Sequence, residues 1–254
     1  MQHFYIDREI LPGERTELSG EDHNHIKNVL RMKRGEKVVI NDTKGISHIC
    51  ALAGFGEGCS YFDEEESFPC ETELPTTIVL FQGLPKKDKM DLIVEKAVEL
   101  GCSRIVPVMT RRVIVKIEDE KKEAKKIERW NAISKSAAMQ SGRGIIPVVD
   151  KVMTFKQALI EAGKLERTII PYEESETLGC TMEGSRETVR GLKGTKSVGI
   201  FIGPEGGFEA SEVEAAIQMG AVPVSLGKRI LRTETAGPAA LAVIMFEIEN
   251  GARK

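Results

Sequence analysis

Residues 197–246, SVGIFIGPEGGFEASEVEAAIQMGAVPVSLGKRILRTETAGPAALAVIMF, constrain the fold more than any other part of the chain. Val198–Ile202 is a short apolar run rich in β-branched residues, the pattern of a strand buried on both faces of a parallel sheet. It stops at Gly203-Pro204-Glu205-Gly206-Gly207, where the missing Cβ atoms allow a sharp turn and a close approach to another group. The pattern predicts a helix opening at Ser211, with Glu214 completing a capping box and Gly220 as its stop. Ala221–Leu226 reads as a second strand and Gly227–Thr235 as a second glycine-led loop. A last helix is predicted over 235–249, with an apolar stripe through Ala239, Leu241, Ala242, Ile244 and Met245. Two strand–loop–helix units in succession place both loops at the carboxyl ends of neighbouring strands, where open α/β sheets bind ligands.

The first loop is not G-x-G-x-x-G and lacks the P-loop lysine pattern, which argues against dinucleotide and triphosphate sites. A plain structural turn and a ligand loop account for GPEGG equally well. The second loop shifts the balance. Arg229, Arg232, Thr233, Glu234 and Thr235 crowd polar groups between two apolar runs, a pattern suited to holding a polar ligand.

IGPEGGF followed by LGKRILRTETAGPAAL closely resembles the 16S rRNA (uracil-N3)-methyltransferases, the RsmE family of the SPOUT class. The resemblance implies a parallel α/β domain whose C-terminal segment is threaded into a trefoil knot, a topology that ordinary connection rules would not predict. It also implies S-adenosylmethionine held by three loops. Pro171, Tyr172 and Glu173 belong to one of them, and Ile202, Gly203, Pro204, Gly206 and Gly207 to the next. Leu226, Gly227, Ile230, Leu231, Arg232, Thr233, Thr235 and Ala236 belong to the third.

The first 66 residues follow a different pattern. A helix is predicted near 20–32, with Ser19 as cap and Ile26, Val29 and Leu30 on one face. Lys37–Asn41 and Ile46–Leu52 flank Asp42-Thr43-Lys44-Gly45, a hairpin signal, and Cys59–Phe62 is a further short strand. Together they suggest a small β-barrel. The acidic run Asp63–Glu66, then Pro69 and Pro75, reads as a connection, so a domain boundary is expected at about 67–75. The expected domains are 1–70, a PUA-like RNA-binding barrel, and 71–254, the SPOUT α/β-knot domain. The segment His25-Ile26…Val29-Leu30-Arg31…Gly35 resembles the barrel's motif in the same family.

From Thr76 the chain alternates. Strands are predicted over Thr76–Phe81, Arg104–Met109, Ile145–Val149 and Thr168–Pro171. Helices are predicted over Asp88–Leu100, 119–141, Thr154–Ala162 and 184–192. Lys86, Lys87 and Lys89 stand at a strand end beside a helix start, a place that attracts phosphates. Met139 stands where the family's E-Q-S-G-R motif has glutamate, while Gln140-Ser141-Gly142-Arg143 is retained.

A net charge of −3 does not advertise a nucleic-acid binder, so RNA contact must rest on local basic patches. The resemblance points to Arg8, Arg31, Lys33, Arg34, Lys86, Lys87, Lys89 and Arg143; the bland alternative is a solvated charged surface. Five scattered cysteines without a C-x-x-C pair support neither disulfides nor zinc, and no cluster has metal-ligand spacing. The start MQHFYIDREI has no apolar signal region and the longest apolar run, Ala239 to Phe246, is too short to span a bilayer, so a cytoplasmic protein is expected.

The implied reaction moves the methyl group of S-adenosylmethionine to N3 of a uridine in 16S rRNA, in the 30S subunit, with a homodimer as the acting form. Arg232 is the candidate for stabilising charge on the uracil ring. Glu205 and Glu234 are alternative proton acceptors, against a reading in which Glu234 pairs with an arginine and Glu205 stays in solvent. Three other functions remain open at this point: a SPOUT methyltransferase acting on another RNA or another base atom, a non-catalytic ribosome-assembly protein that binds RNA alone, and a nucleotide-dependent metabolic enzyme.

Overall fold

A computed structural model of the chain describes residues 1–113, 120–173 and 178–249. The chain divides into two units, the first formed by Met1–Glu73 with Ala138–Ile146, the second by Leu74–Ala137 with the rest of the chain from Pro147.

The first unit contains β1 (His3–Tyr5), β2 (Arg15–Ser19), α1 (Gly20–Asn24), β3 (Lys37–Asn41), β4 (Ile46–Phe55) and β5 (Cys59–Pro69). The strands form one mixed sheet in the order β1-β3-β4-β5-β2, with β1 and β3 parallel and the remaining pairs antiparallel. Alternation in β2 buries Thr16 and Leu18, and the core beneath it holds Phe4, Ile26, Ile40, Leu52 and Phe62. The β3–β4 turn is closed by Asp42, whose Oδ1 accepts from the Lys44 and Ile46 amides at 2.8 and 3.0 Å.

Three expectations for this unit need correction. The helix over 20–32 is instead the five-residue α1 followed by one π-helical turn, His25–Val29, closed by Leu30 N–H to His25 O at 2.9 Å. The wider turn keeps Ile26 buried but leaves Val29 62% exposed, and Ser19 makes no side-chain cap bond. The acidic run Asp63–Glu66 is part of β5 and not a connection. Its carboxylates have cross-strand partners: Arg15 on Asp63 (2.7 Å), His48 on Glu64 (2.6 Å) and Lys37 on Glu65 (2.6 Å). Arg143 is buried, with its guanidinium on Glu73 (Nε to Oε1, 2.8 Å), and Glu73 Oε1 also accepts from the Gly144 amide. It braces the 138–146 segment internally and does not stand exposed on the surface. Met139, in place of glutamate, packs with Ile6, Leu30 and Met32 against the same core.

The second unit is a parallel sheet with helices between its strands. Its elements are β6 (Thr77–Gly83), α2 (Lys89–Glu99), β7 (Arg104–Met109), α3 (Glu120–Ser141), β8 (Val148–Val149), β9 (Met153–Thr154), α4 (Phe155–Ala162), β10 (Arg167–Pro171), α5 (Met182–Arg190), β11 (Ser197–Ile202), α6 (Ala210–Gln218), β12 (Val222–Val224) and α7 (Thr233–Glu249). The order is β12-β10-β11-β6-β7-β8, with β9 pairing β7, and every pair is parallel. The central pair, β6 and β11, is buried along nearly its whole length, and Phe81 stacks on its register partner Phe201 at 4.6 Å. From β6 the chain runs outward through β7 and β8, then returns on the other side through β10, β11 and β12. The strand order therefore switches between β6 and β11.

Three features of the helices differ from the sequence expectation. α6 is capped two residues earlier than Ser211: Glu209 and Glu212 form the capping box, because a carboxylate can fill the role expected of serine. Asp88 holds the cap position of α2 without a side-chain bond. α7 buries Gly237, Ala240, Leu241, Ile244 and Ile248, so its inner face is set by Gly237 lying against Gln82 and Ile202. Ala239, Ala242 and Met245 lie only half-buried. Position 119 of the predicted α3 lies outside the described residues. Among the described residues no helix is long and apolar enough to cross a membrane, and no group of three side chains is arranged to hold a metal ion.

Candidate active site

The GPEGG turn gathers at the carboxyl ends of β11 and β6. A Cβ at Gly83 would stand 2.6 Å from Pro204 Cδ, closer than a side chain allows, and one at Gly203 would stand 3.1 Å from Gly207 Cα, so tight that the turn would have to shift. The Gly207 amide donates to Pro204 O at 2.9 Å, with Gly207 in the left-handed region at φ +66. The second loop leaves β12 through Gly227 (φ +113) and re-enters helix at α7, where the Thr235 and Ala236 amides both donate to Arg232 O at 2.8 Å. The third is anchored by the Tyr172 amide on Val224 O (3.1 Å).

One buried residue ties these parts together. Thr233 is 4% exposed; its Oγ1 donates to Gly203 O at 2.7 Å and accepts from Gln82 Nε2 at 2.9 Å. Together the loops enclose a cavity of about 340 Å³. It is lined by Pro171, Tyr172 and Glu173 from the loop after β10, by Ile202, Gly203, Pro204, Glu205, Gly207 and Phe208 from the GPEGG turn, and by Ser225, Leu226, Gly227, Arg229, Ile230, Leu231, Arg232, Thr233 and Ala236 from the loop after β12. Lys89 completes it. Ile230 is 83% exposed, an apolar side chain standing at the edge of the cavity.

Two of the residues expected in this lining are not there. Gly206 faces Arg112, whose Nη1 donates to Gly206 O at 2.8 Å, and Thr235 lies exposed on the first turn of α7. Phe208 and Ser225 gave no sequence signal, since a single aromatic after a glycine turn and a single serine at a strand end are ordinary. Lys89, expected at RNA, instead lies between the carboxylates of Glu205 and Glu234, with Nζ 3.1 Å from each.

The two carboxylates are therefore not free. Burial works to raise the Glu205 carboxyl, but backbone amides, including Lys86 N–H at 3.1 and 3.2 Å, and the Lys89 ammonium hold it below its ordinary value. Burial likewise raises Glu234, and its backbone bond, Lys89 and Arg232 outweigh that and lower it. Carboxylates held this way are poor proton acceptors.

The basic residues expected at RNA fall into distinct groups. Arg31, Lys33 and Arg34 form an exposed run on the first unit, with Arg31 in the left-handed region (φ +52). Arg8 pairs with Glu14 at 2.8 Å. Lys86 and Lys87 are exposed on the turn before α2.

A family model of an RNA methyltransferase domain matches residues 72–245, and one of an RNA methyltransferase PUA domain matches residues 18–56. The Ribosomal RNA small subunit methyltransferase E of Bacillus subtilis is 34% identical over 255 residues, covering 98% of both chains. The chain belongs to this methyltransferase E family. The member from Neisseria gonorrhoeae, solved bound to S-adenosyl methionine, is 30% identical and superposes with a TM-score of 0.84 over 98% of each chain. A methyltransferase of Legionella pneumophila, solved with bound SAM, is 31% identical with a TM-score of 0.83 over 96% of each chain. The fold expected from the sequence, a SPOUT-type α/β domain with a PUA-like domain before it, agrees with this family.

Proposed function

We propose that this chain transfers the methyl group of S-adenosylmethionine to N3 of a uridine in 16S rRNA of the small ribosomal subunit. The observation that carries the reading is the cavity at the switch between β6 and β11, walled by the GPEGG and LGKRILRTET loops. Such a crevice is where open α/β sheets bind ligands, and its volume lies within the roughly 300–1,000 Å³ of small-molecule pockets.

The residues fit the donor. The absence of a side chain at Gly207 leaves open space, and Glu173 Oε1 lies 3.7 Å from where a Cβ would stand there, placing a carboxylate to accept hydroxyl protons. When bound, the donor supplies an electrophilic methyl group on a sulfonium. The loops hold it in one orientation, which is the main demand of an in-line transfer. Arg232, in the lining, stabilises negative charge on the uracil ring as N3 attacks. Glu205 and Glu234 stay paired with Lys89 and do not take the N3 proton, which leaves to water at the open mouth. The target base must be unpaired to present N3.

The exposed run Arg31, Lys33 and Arg34 on the first unit meets RNA phosphates, and so do Lys86 and Lys87 on the second. The acting form is a homodimer, supported by the exposed Val243 and Phe246 on α7. The C-terminal segment is threaded as in the SPOUT class: α7 packs on β11 and α2, whereas β12, just before it, lies beyond β10. A cytoplasmic location and the assembled 30S subunit as substrate follow from the same reading.

Labelled S-adenosylmethionine, offered with 30S subunits or protein-free 16S rRNA from cells lacking the homologous enzyme, tests this. Transfer to 30S subunits and little to free rRNA is expected. Cofactor binding without transfer to either would point to another RNA.

A further inference from the structure

The lysine that holds Glu205 and Glu234 occupies an unfavourable place. Lys89 is the first residue of α2, where the aligned peptide dipoles repel a cation. The turn leading to it passes through Lys87 in the left-handed region, φ +58, a strained conformation for a side chain of this type. Against these costs the ammonium meets Glu205 of the GPEGG turn and Glu234 of the first turn of α7, both at 3.1 Å.

Two of the three segments joined by Lys89, the GPEGG turn and α7, are joined a second time, one layer deeper and by neutral groups, with the end of β6 as the third member. There Gln82 at the end of β6 donates to Thr233 of α7, and Thr233 donates to Gly203. The inner layer is buried; the ionic layer faces the cavity through Lys89 and Glu205. A phosphate contact needs a mobile ammonium in a positive surround. Lys89 is 27% exposed, and its ammonium is already shared between two carboxylates, which leaves it less free to meet a phosphate.

We propose that Lys89 is a positioning residue that locks the loops of the donor cavity to one another, and that it makes no contact with RNA phosphate. The inference rests on the reading of this cavity as the S-adenosylmethionine site. Its test uses the full chain with wild type, Lys89→Gln, Lys89→Arg and Lys87→Gln. Three quantities are measured: S-adenosylmethionine affinity by calorimetry, affinity for 16S rRNA against salt, and amide exchange at residues 205–207 without ligand.

Lys89→Gln is expected to weaken donor binding by about tenfold or more and to speed exchange at 205–207. RNA affinity and its salt slope should stay at the wild-type values, and Lys89→Arg should recover part of the donor affinity. A salt slope reduced by about 0.7–0.9 with donor binding intact would overturn the proposal; that signature is expected of Lys87→Gln. If the wild type does not bind the donor, the functional reading fails instead, and the exchange arm, which needs no ligand, still decides the lock. Should Lys89→Gln not fold, Glu205→Gln opens one arm of the same ring. Unchanged exchange in that variant would also overturn the proposal.

Discussion

One methyl group at Gly203 is enough to test the tightness of the GPEGG turn. The added Cβ would lie 3.1 Å from Gly207 Cα, backbone that cannot swing aside, so Gly203→Ala should destabilise by about 1–3 kcal/mol and abolish donor binding in calorimetry. A second residue-scale expectation concerns acid. Glu205 and Glu234 have folded values below their ordinary 4.5. A carboxyl shifted this way adds stability above its unfolded value and loses it as pH falls through the lower folded value. The second unit should therefore weaken as pH falls below about 4.5, and Glu205→Gln with Glu234→Gln should flatten that dependence in urea titrations. At this scale the sequence was legible where chemistry is local. Gly203, Arg232 and Thr233 could be named from the loops alone. The partner of Glu205 could not, because Lys89 is 116 residues away in the chain and only the parallel pairing of β6 with β11 brings them together.

Among elements, the 138–146 segment gives the sharpest expectation. Arg143 is 3% exposed and braced on Glu73, so Arg143→Ala strands a carboxylate and should destabilise the first unit by about 3–5 kcal/mol, read as a lowered urea midpoint. An RNA contact would instead leave stability unchanged. The alternation of strands and helices from Thr76 onward is visible in the sequence because buried parallel strands are continuous apolar runs and helices carry 3.6-residue stripes. Val148–Val149 and Met153–Thr154 are too short for either signal. The π-helical turn at His25–Val29 was illegible for a related reason: an amphipathic pattern does not report whether the hydrogen bonds close at four residues or five.

At the scale of the molecule, a chain of net charge −3 must bind RNA through local clusters. Replacing Arg31, Lys33 and Arg34 together with glutamine should lower the salt slope of RNA binding by roughly 2–3 units without altering donor affinity. The order of strands, with the switch between β6 and β11, was not readable from periodicity; it follows from which apolar runs pair, a long-range choice. The central claim is that the cavity at that switch methylates uracil N3. The most direct measurement is mass-spectrometric identification of the nucleoside formed when the wild type and Arg232→Ala act on 30S subunits with S-adenosylmethionine. N3-methyluridine from the wild type is the expected result, with Arg232→Ala slower by about 10²–10³ at saturating donor. A different methylated nucleoside, or none from a chain that binds the donor, would contradict the account.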